Sequence, residues 1–357
     1  MFLKNKIWTG SIFFLSLLLI GCSGSSPSEV QSQKPSDLVV NVEVVGSDTS
    51  NPNGDGSGKI KLDFSATNAT SYKINFGNGD TMETTSTSVS YTYTGSGTST
   101  YNIYVSAYNA DKFVSATKSV TIYITPSLLW SDEFNSDGAP KSSNWGYDLG
   151  AGGWGNNESE YYTSRADNVI VEGGYLKITA KKEDYQGSHY TSARIKTQDK
   201  FNFKYGKVEV RAKLPEGGGT WPAIWTLGSN INSVGWPACG EIDIMEEVGN
   251  NLGNIHSTLH TPSSYGASVN TATKMVPDAS TQFHVYGMEW TQDKIAFSID
   301  GTVFYTYNPA TKNSSTWPFD SNQFIILNLA MGGNFGGAID NNFTSGTMLV
   351  DYVRVYQ

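Results

Sequence analysis

The sequence predicts an all-β protein of two domains, and three observations carry that prediction. Glycine is abundant, at 37 of 357 residues, and 20 Tyr, 16 Phe and 9 Trp make the chain rich in aromatics. Such a composition suits tight turns and pleated strands. Short apolar alternations of period two recur along the chain between Gly, Asn, Asp and Ser clusters, without a long stretch of helical period. The length is enough for two units, each with its own core. A net charge of −9, with only 16% charged residues, argues against nucleic acid as a partner. Two cysteines, Cys22 and Cys239, exclude a disulfide framework.

Residues 1–22 read as a targeting segment. Lys4 and Lys6 precede an apolar run from Ile7 to Ile20 that is short for a membrane span of ~20 residues. Leu19-Ile20-Gly21-Cys22 resembles a bacterial lipobox, which implies lipidation of Cys22 as the mature N-terminus. Its acyl chains would tether the protein at about 0.8 kcal/mol per buried CH₂. Ser23 after the cysteine fits outer-membrane sorting. The expected location is the cell envelope, at the bacterial outer membrane or cell surface. Residues 23–36 are rich in Ser, Pro and Gln and read as a flexible linker.

Residues 37–126 hold strand-like runs such as Lys59 to Phe64, Ser71 to Phe76 and Tyr101 to Ala107. Their size and rhythm predict a small immunoglobulin-like β-sandwich without the cysteine pair of antibody domains. The turn Phe76-Gly77-Asn78-Gly79-Asp80 resembles that of PKD-type domains, although Ile74 and Asn78 depart from the usual Trp and Asp. A spacer is the first reading of this unit and a carbohydrate-binding module the second.

Residues 127–357 read as a second all-β unit, from a strand at Leu129 to Phe134 to a strand at Leu349 to Tyr356. At its centre stands Gly240-Glu241-Ile242-Asp243-Ile244-Met245-Glu246-Glu247-Val248. Ile242 and Ile244 suit a buried strand face, and Glu241 and Asp243 fall on the opposite one. Like charges side by side on a strand face destabilise it, so folding alone does not ask for them. Glycoside hydrolysis does, because it needs two carboxyls flanking the scissile bond. Strict alternation adds Glu247 to that face, whereas a β-bulge at Ile244-Met245 adds Glu246. The bulged register is preferred, since bulges re-aim side chains at active sites. The outer Cα atoms would lie about 13–16 Å apart. Inward-leaning side chains could then approach the ~5–5.5 Å carboxyl spacing of a retaining enzyme. Cys239, two residues before Glu241, falls on the same face and reads as a buried spectator thiol.

Glu241 to Glu246 resembles the catalytic strand of glycoside hydrolase family 16, in the longer form found in laminarinases. The resemblance covers residues 127–357 and implies a β-jelly-roll of the concanavalin A-like type with an open cleft on its concave face. It implies Glu241 as nucleophile, Asp243 as helper and Glu246 as acid/base. Trp154-Gly155-Asn156-Asn157-Glu158 resembles the cleft-side loop of laminarinases, making Asn157 a substrate ligand; a plain turn residue is the alternative. Arg194 stands where the family's cleft often has an arginine, though a surface arginine is equally ordinary. Trp221 and Trp225 share parity and would line the cleft, with core packing as the alternative and Pro222 as a source of irregularity. Trp236 and Trp154 are weaker candidates. His256, Thr258 and His260 share a face; no third zinc ligand stands nearby in sequence. By resemblance His260 faces the carboxylates. Catalysis needs no cofactor. Family members often carry a structural Ca²⁺, which carries over to Glu133, the Gly174 carbonyl and Asp351.

The activity these features imply is endo-acting, retaining hydrolysis of β-1,3-glucosidic bonds in laminarin, with mixed-linkage β-1,3-1,4-glucan as second substrate. Two alternatives stay open. One is a family 16 hydrolase of agar or carrageenan. The other is a non-catalytic surface β-glucan-binding protein, which would typically lack the carboxylates. A monomer is expected.

Overall fold

A computed structural model describes residues 32–357. The targeting segment, Cys22 and most of the predicted linker lie outside the described residues. The end of that linker is ordered into the fold: Lys112 Nζ donates to the Ser32 carbonyl at 2.7 Å and Asn109 Nδ2 to the Gln33 carbonyl at 3.0 Å. Seven strands follow, β1 (Ser36–Val44), β2 (Lys59–Thr67), β3 (Ser71–Asn75), β4 (Thr81–Thr84), β5 (Ser88–Thr92), β6 (Gly97–Asn109) and β7 (Lys112–Ile124). They form two sheets, ordered β1-β2-β5 and β4-β3-β6-β7. Alternate residues are buried, as in Ile60, Leu62 and Phe64 of β2 or Ile103, Val105 and Ala107 of β6. The 76–80 turn closes through Phe76 N–H on the Asp80 carbonyl at 3.0 Å. Gly77 there has φ +81, and a Cβ would come 2.5 Å from the Asn102 carbonyl, so only glycine fits.

Contacts along the chain separate two compact units. Among the described residues, one holds 32–41, Asp63–Ser88 and Asn102–Lys118; the other holds Val42–Leu62, Val89–Tyr101 and Ser119–Gln357. This grouping does not follow the expected division at residue 126.

The remaining strands are β8 (Leu128–Asp132), β9 (Gly146–Asp148), β10 (Glu160–Tyr162), β11 (Val169–Glu172), β12 (Tyr175–Tyr185), β13 (Ser188–Ser192), β14 (Arg194–Lys196), β15 (Gly206–Lys213) and β16 (Thr220–Gly228). Then come β17 (Glu241–Glu246), β18 (Asn254–His260), β19 (Thr271–Met275), β20 (His284–Trp290), β21 (Ile295–Ile299), β22 (Thr302–Tyr307), β23 (Gln323–Met331) and β24 (Ser345–Tyr356). One sheet runs β10-β13-β12-β24-β15-β20-β21-β22, with β11 and β8 at its margins; the other runs β19-β18-β17-β16-β23-β14-β9. Their facing side chains, among them Ile178, Val210, Ile242, Ile244, Phe297 and Leu327, make one buried core. This is a two-sheet jelly roll. The hairpin from β21 to β22 turns at Asp300-Gly301, with φ of 50° and 77°. Two left-handed residues in a row are what a two-residue hairpin of matching twist requires.

The seven-stranded sheet positions the site. Its β16 stays paired to β23 from Thr220 to Gly228, straight through Pro222. The irregularity expected at the proline is therefore absent from this ladder. The sheet's irregularity lies instead on β17.

Candidate active site

Strand β17 enters through Gly240, whose φ is +75 and whose Cβ would press on the Phe319 ring at 2.9 Å. Its first residues pair regularly: Glu241 lies opposite His260, Ile242 opposite Leu259 and Asp243 opposite Thr258. The next pair is Glu246 with His256. Two residues, Ile244 and Met245, thus face Ser257 alone. On the other edge Trp225 pairs with Asp243 and Ile224 with Met245, leaving Ile244 unmatched. This bulge returns Glu246 to the face of Glu241 and Asp243. Ile244 and Met245 are both buried in the core. Glu247 turns away from the cleft, fully buried, and its Oε1 accepts the Gly253 N–H at 2.6 Å.

Cross-strand pairing lays the cleft out in rows. Arg194, Asn328, Ala223, Glu246 and His256 form one row across the sheet. Trp225, Asp243, Thr258 and Thr271 form the next, and Leu227, Glu241 and His260 the third. All of these line a single cleft of about 790 Å³. Its loops contribute Trp154, Asn156, Glu158, Trp236, Asn334 and Phe335.

Each outer carboxylate accepts an indole N–H. Trp221 Nε1 donates to Glu246 Oε1 at 2.9 Å, and Trp236 Nε1 donates to Glu241 Oε2 at 2.9 Å. His260 Nε2 lies 3.2 Å from Asp243 Oδ2 and 3.6 Å from Glu241 Oε1. The two histidines do not share a ligand cluster: ligand-type atoms of Glu241, Asp243 and His260 fall within 4.8 Å of one another, while His256 Nε2 lies 3.2 Å from Asn254 Nδ2. Burial pushes Glu241 up to about 8, helped by the charge of Asp243. Burial alone pushes Asp243 up to about 8. Glu246 also rises to about 8 by burial and the charge of Asp243, against the indole bond and His260, which pull it down. Three carboxyls held this close titrate as a set, and near neutrality the set retains protons. Such a site can give a proton from one member while another stays ionised.

Arg194 is held by Asp148, Nε to Oδ2 at 2.9 Å, and lies over the Trp225 ring at 4.7 Å and the Trp154 ring at 5.2 Å. Trp225 is fixed in turn by Nε1 donating to Asn328 Oδ1 at 2.7 Å. Asn157 does not line the cleft. Its φ is +58, its side chain is exposed, and its Nδ2 donates to Asn334 Oδ1 at 2.9 Å. It braces the neighbouring loop, while Asn156 and Glu158 face the cleft. Cys239 packs with Leu227, Phe324 and Ile326, and burial pushes its thiol up to about 11, as suits a spectator.

The calcium positions meet at one edge of β24. Leu176 sits opposite Val350 and Asp132 opposite Val353, so the turn at Gly174 and the end of β8 both reach Asp351 and Tyr352. The Glu133 carboxylate does not fit as a ligand there, because Arg354 takes both its oxygens at 2.8 and 2.9 Å. Asp351 Oδ2 is likewise taken, by Arg211 at 2.5 Å, so that oxygen does not fit as a ligand either, and only its other oxygens stay open to a cation. Glu133 is left to offer its main-chain carbonyl.

A family profile described as glycosyl hydrolases family 16 matches residues 156–354. A β-glucanase of Rhodothermus marinus is 44% identical over 243 residues, covering 64% of this chain and 85% of its own length. Glucan endo-1,3-beta-glucosidase A1 of Niallia circulans is 37% identical over 257 residues; the match spans 64% of this chain but only 38% of that protein. The crystal structure of a laminarinase from a Flavobacterium superposes with a TM-score of 0.62 at 45% identity, covering 65% of this chain and all of that one.

Proposed function

We infer the activity from a firm premise: the chain belongs to glycosyl hydrolases family 16. It is an endo-acting, retaining β-glucan hydrolase that cleaves β-1,3-glucosidic bonds, with laminarin as first substrate and mixed-linkage β-1,3-1,4-glucan as second. The observation that carries this reading is the bulge at Ile244-Met245, which turns Glu246 to the same cleft face as Glu241 and Asp243. Glu246 protonates the leaving oxygen while Glu241 attacks the anomeric carbon. Water then cleaves the glycosyl-enzyme, with Glu246 as base. Trp221 N–H stabilises the charge that appears on Glu246 when its proton leaves. The charge of Asp243 keeps the proton on Glu246 until the leaving oxygen takes it, while Glu241 attacks as the carboxylate. Trp225 and Arg194 present flat faces for glucosyl rings.

Reducing-end release from laminarin, lichenan and agarose tests the reading, with Glu241→Gln, Glu246→Gln and Glu247→Gln alongside. Laminarin turnover lost in the first two variants and kept in the third is expected. Turnover of agarose alone would overturn the substrate, and binding of laminarin without turnover would make the chain a glucan-binding protein.

Three further assignments are proposals about the rest of the chain. Residues 1–22 act as a lipoprotein signal that anchors a monomer to the cell envelope through Cys22; labelled palmitate should enter the protein and be lost in Cys22→Ala. Residues 37–126 form a PKD-like spacer, and their deletion should leave laminarin turnover intact. A structural Ca²⁺ binds through the carbonyls of Glu133 and Gly174 and through Asp351. Calcium should then raise the thermal midpoint and EDTA lower it; a midpoint indifferent to both sinks that assignment.

A further inference from the structure

Behind the cleft wall lies a second pair of carboxyls with no place in the mechanism above. Glu160, the first residue of β10, is fully buried. Its Oε2 accepts the Met331 N–H at 2.7 Å, which ties β10 to the end of β23. Its Oε1 is buried and receives no hydrogen bond from any donor in the structure. The group beside it is the carboxyl of Glu158, which lines the cleft. Glu158 is already an acceptor twice over: Asn156 Nδ2 donates to its Oε1 at 3.2 Å, and Tyr162 O–H to its Oε2 at 3.0 Å.

Two carboxylates in such a place would repel each other, and the deeper one would leave an oxygen unsatisfied. A single proton on Glu160 Oε1 removes both costs, since it turns an orphan acceptor into a donor to Glu158. We propose that Glu160 is a positioning residue that keeps its proton and donates it to Glu158, so that the pair holds the cleft wall as one hydrogen-bonded unit. Burial first, then the charge of Glu158, drives Glu160 well above the usual carboxylate range.

The surroundings agree. From the preceding loop, only Glu158 faces Glu160 with a charge. On β10 Tyr162 stays neutral, pushed up by its own burial. From β23 comes the Met331 N–H, from β13 Tyr190 stands opposite in the ladder, and from β14 Arg194 acts on Tyr162. Among the described residues neither carboxyl is ion-paired to a Lys, Arg or His. What the pair holds matters for substrate. Tyr162 O–H donates to Glu158 and accepts from Asn328 Nδ2 at 3.1 Å, and Asn328 accepts the Trp225 indole. One chain of bonds therefore runs from Glu160 to a ring that faces the glucan.

Glu160→Gln tests this in the full chain, because an amide reproduces both bonds without titrating: its oxygen accepts from Met331 and its N–H donates to Glu158. Raised in the fold, Glu160 costs the parent stability as pH climbs from its unfolded pKa toward its folded one. The thermal midpoint of the variant should therefore gain on the parent as pH rises above the ordinary carboxylate range. At about pH 7 the infrared difference between the two should contain the carbonyl band of a protonated acid. The kinetic arm rests on the β-glucan reading: KM for laminarin should climb with pH in the parent and stay flat in the variant, with the same pH limbs in kcat. Parallel midpoint profiles with no acid band would overturn the proposal. So would a variant that cannot fold at any pH. If both physical arms hold and laminarin is not turned over, the pair stands and the substrate reading fails.

Discussion

Replacing Trp221 by Phe keeps a flat ring in the cleft but deletes the N–H that Glu246 Oε1 accepts at 2.9 Å. A hydrogen bond to a charged group is worth about 1.5–3 kcal/mol. Glu246 is 9% exposed, so solvent does little to replace it. The bond favours the ionised form and is one of the influences that pull Glu246 down. Its loss should raise the apparent pKa of the acid, by about one to two units at 1.36 kcal/mol per unit. The alkaline limb of kcat/KM against pH reports that acid and should move upward by the same amount. The rate at the optimum should also fall, by about 10- to 150-fold, because the departing proton leaves a charge with no donor. Initial rates on laminarin across the pH range would measure both. An alkaline limb that stays put or moves down would refute the assignment of Glu246 as the proton donor stabilised by this indole.

The other expectations are simpler. Glu247 is fully buried off the cleft face and pushed up to about 7, chiefly by burial. A raised carboxyl costs stability as pH rises from its unfolded value through about 7. Glu247→Gln should therefore stabilise the fold above neutrality by up to about 3 kcal/mol, read from denaturant midpoints at two pH values, with catalysis kept. Asn328→Ala removes the shared anchor of Trp225 and Tyr162; at about 1–2 kcal/mol it should raise KM for laminarin roughly fivefold to thirtyfold. Unchanged KM would mean that Trp225 is held by packing alone. Cys239, buried and with its thiol pushed up to about 11, should resist alkylation in the native protein and react on unfolding. Native labelling would show that the cluster of Cys239 with Leu227, Phe324 and Ile326 opens.

Much of the site was legible because its residues break the rules of ordinary strands. Glu241 and Asp243 stand side by side where repulsion argues against them, which marks the face. The bulge follows from the use of bulges to re-aim side chains at active sites, which favours Glu246 over Glu247. The parity of Trp221 with Trp225 and of His256 with His260 carried over because β16 and β18 are regular. Loops gave no such handle. Asn157 and Asn156 are neighbours of one type, and only the left-handed backbone at Asn157 decides which of them faces the cleft. Trp236 was ranked low because no period reaches it through the Gly235-Pro237 turn, yet it touches Glu241. Asn328 had a signal that went unused: it is the polar residue inside the apolar run from Phe324 to Met331. The ion pairs of Glu133 and Asp351 were out of reach, since Arg354 and Arg211 meet them through pairings that only the folded register defines.

The two indoles that hold the outer carboxylates have a consequence for how the site can be watched. The light an indole emits depends on the charge beside its ring nitrogen. Trp221 reports on Glu246 and Trp236 on Glu241, each through a direct N–H contact of 2.9 Å. Subtracting the emission of Trp221→Phe or of Trp236→Phe from that of the parent isolates each of these two indoles from the chain's other tryptophans. That difference in emission, followed across pH, should track ionisation of the carboxyl set in the free protein, before any sugar is bound.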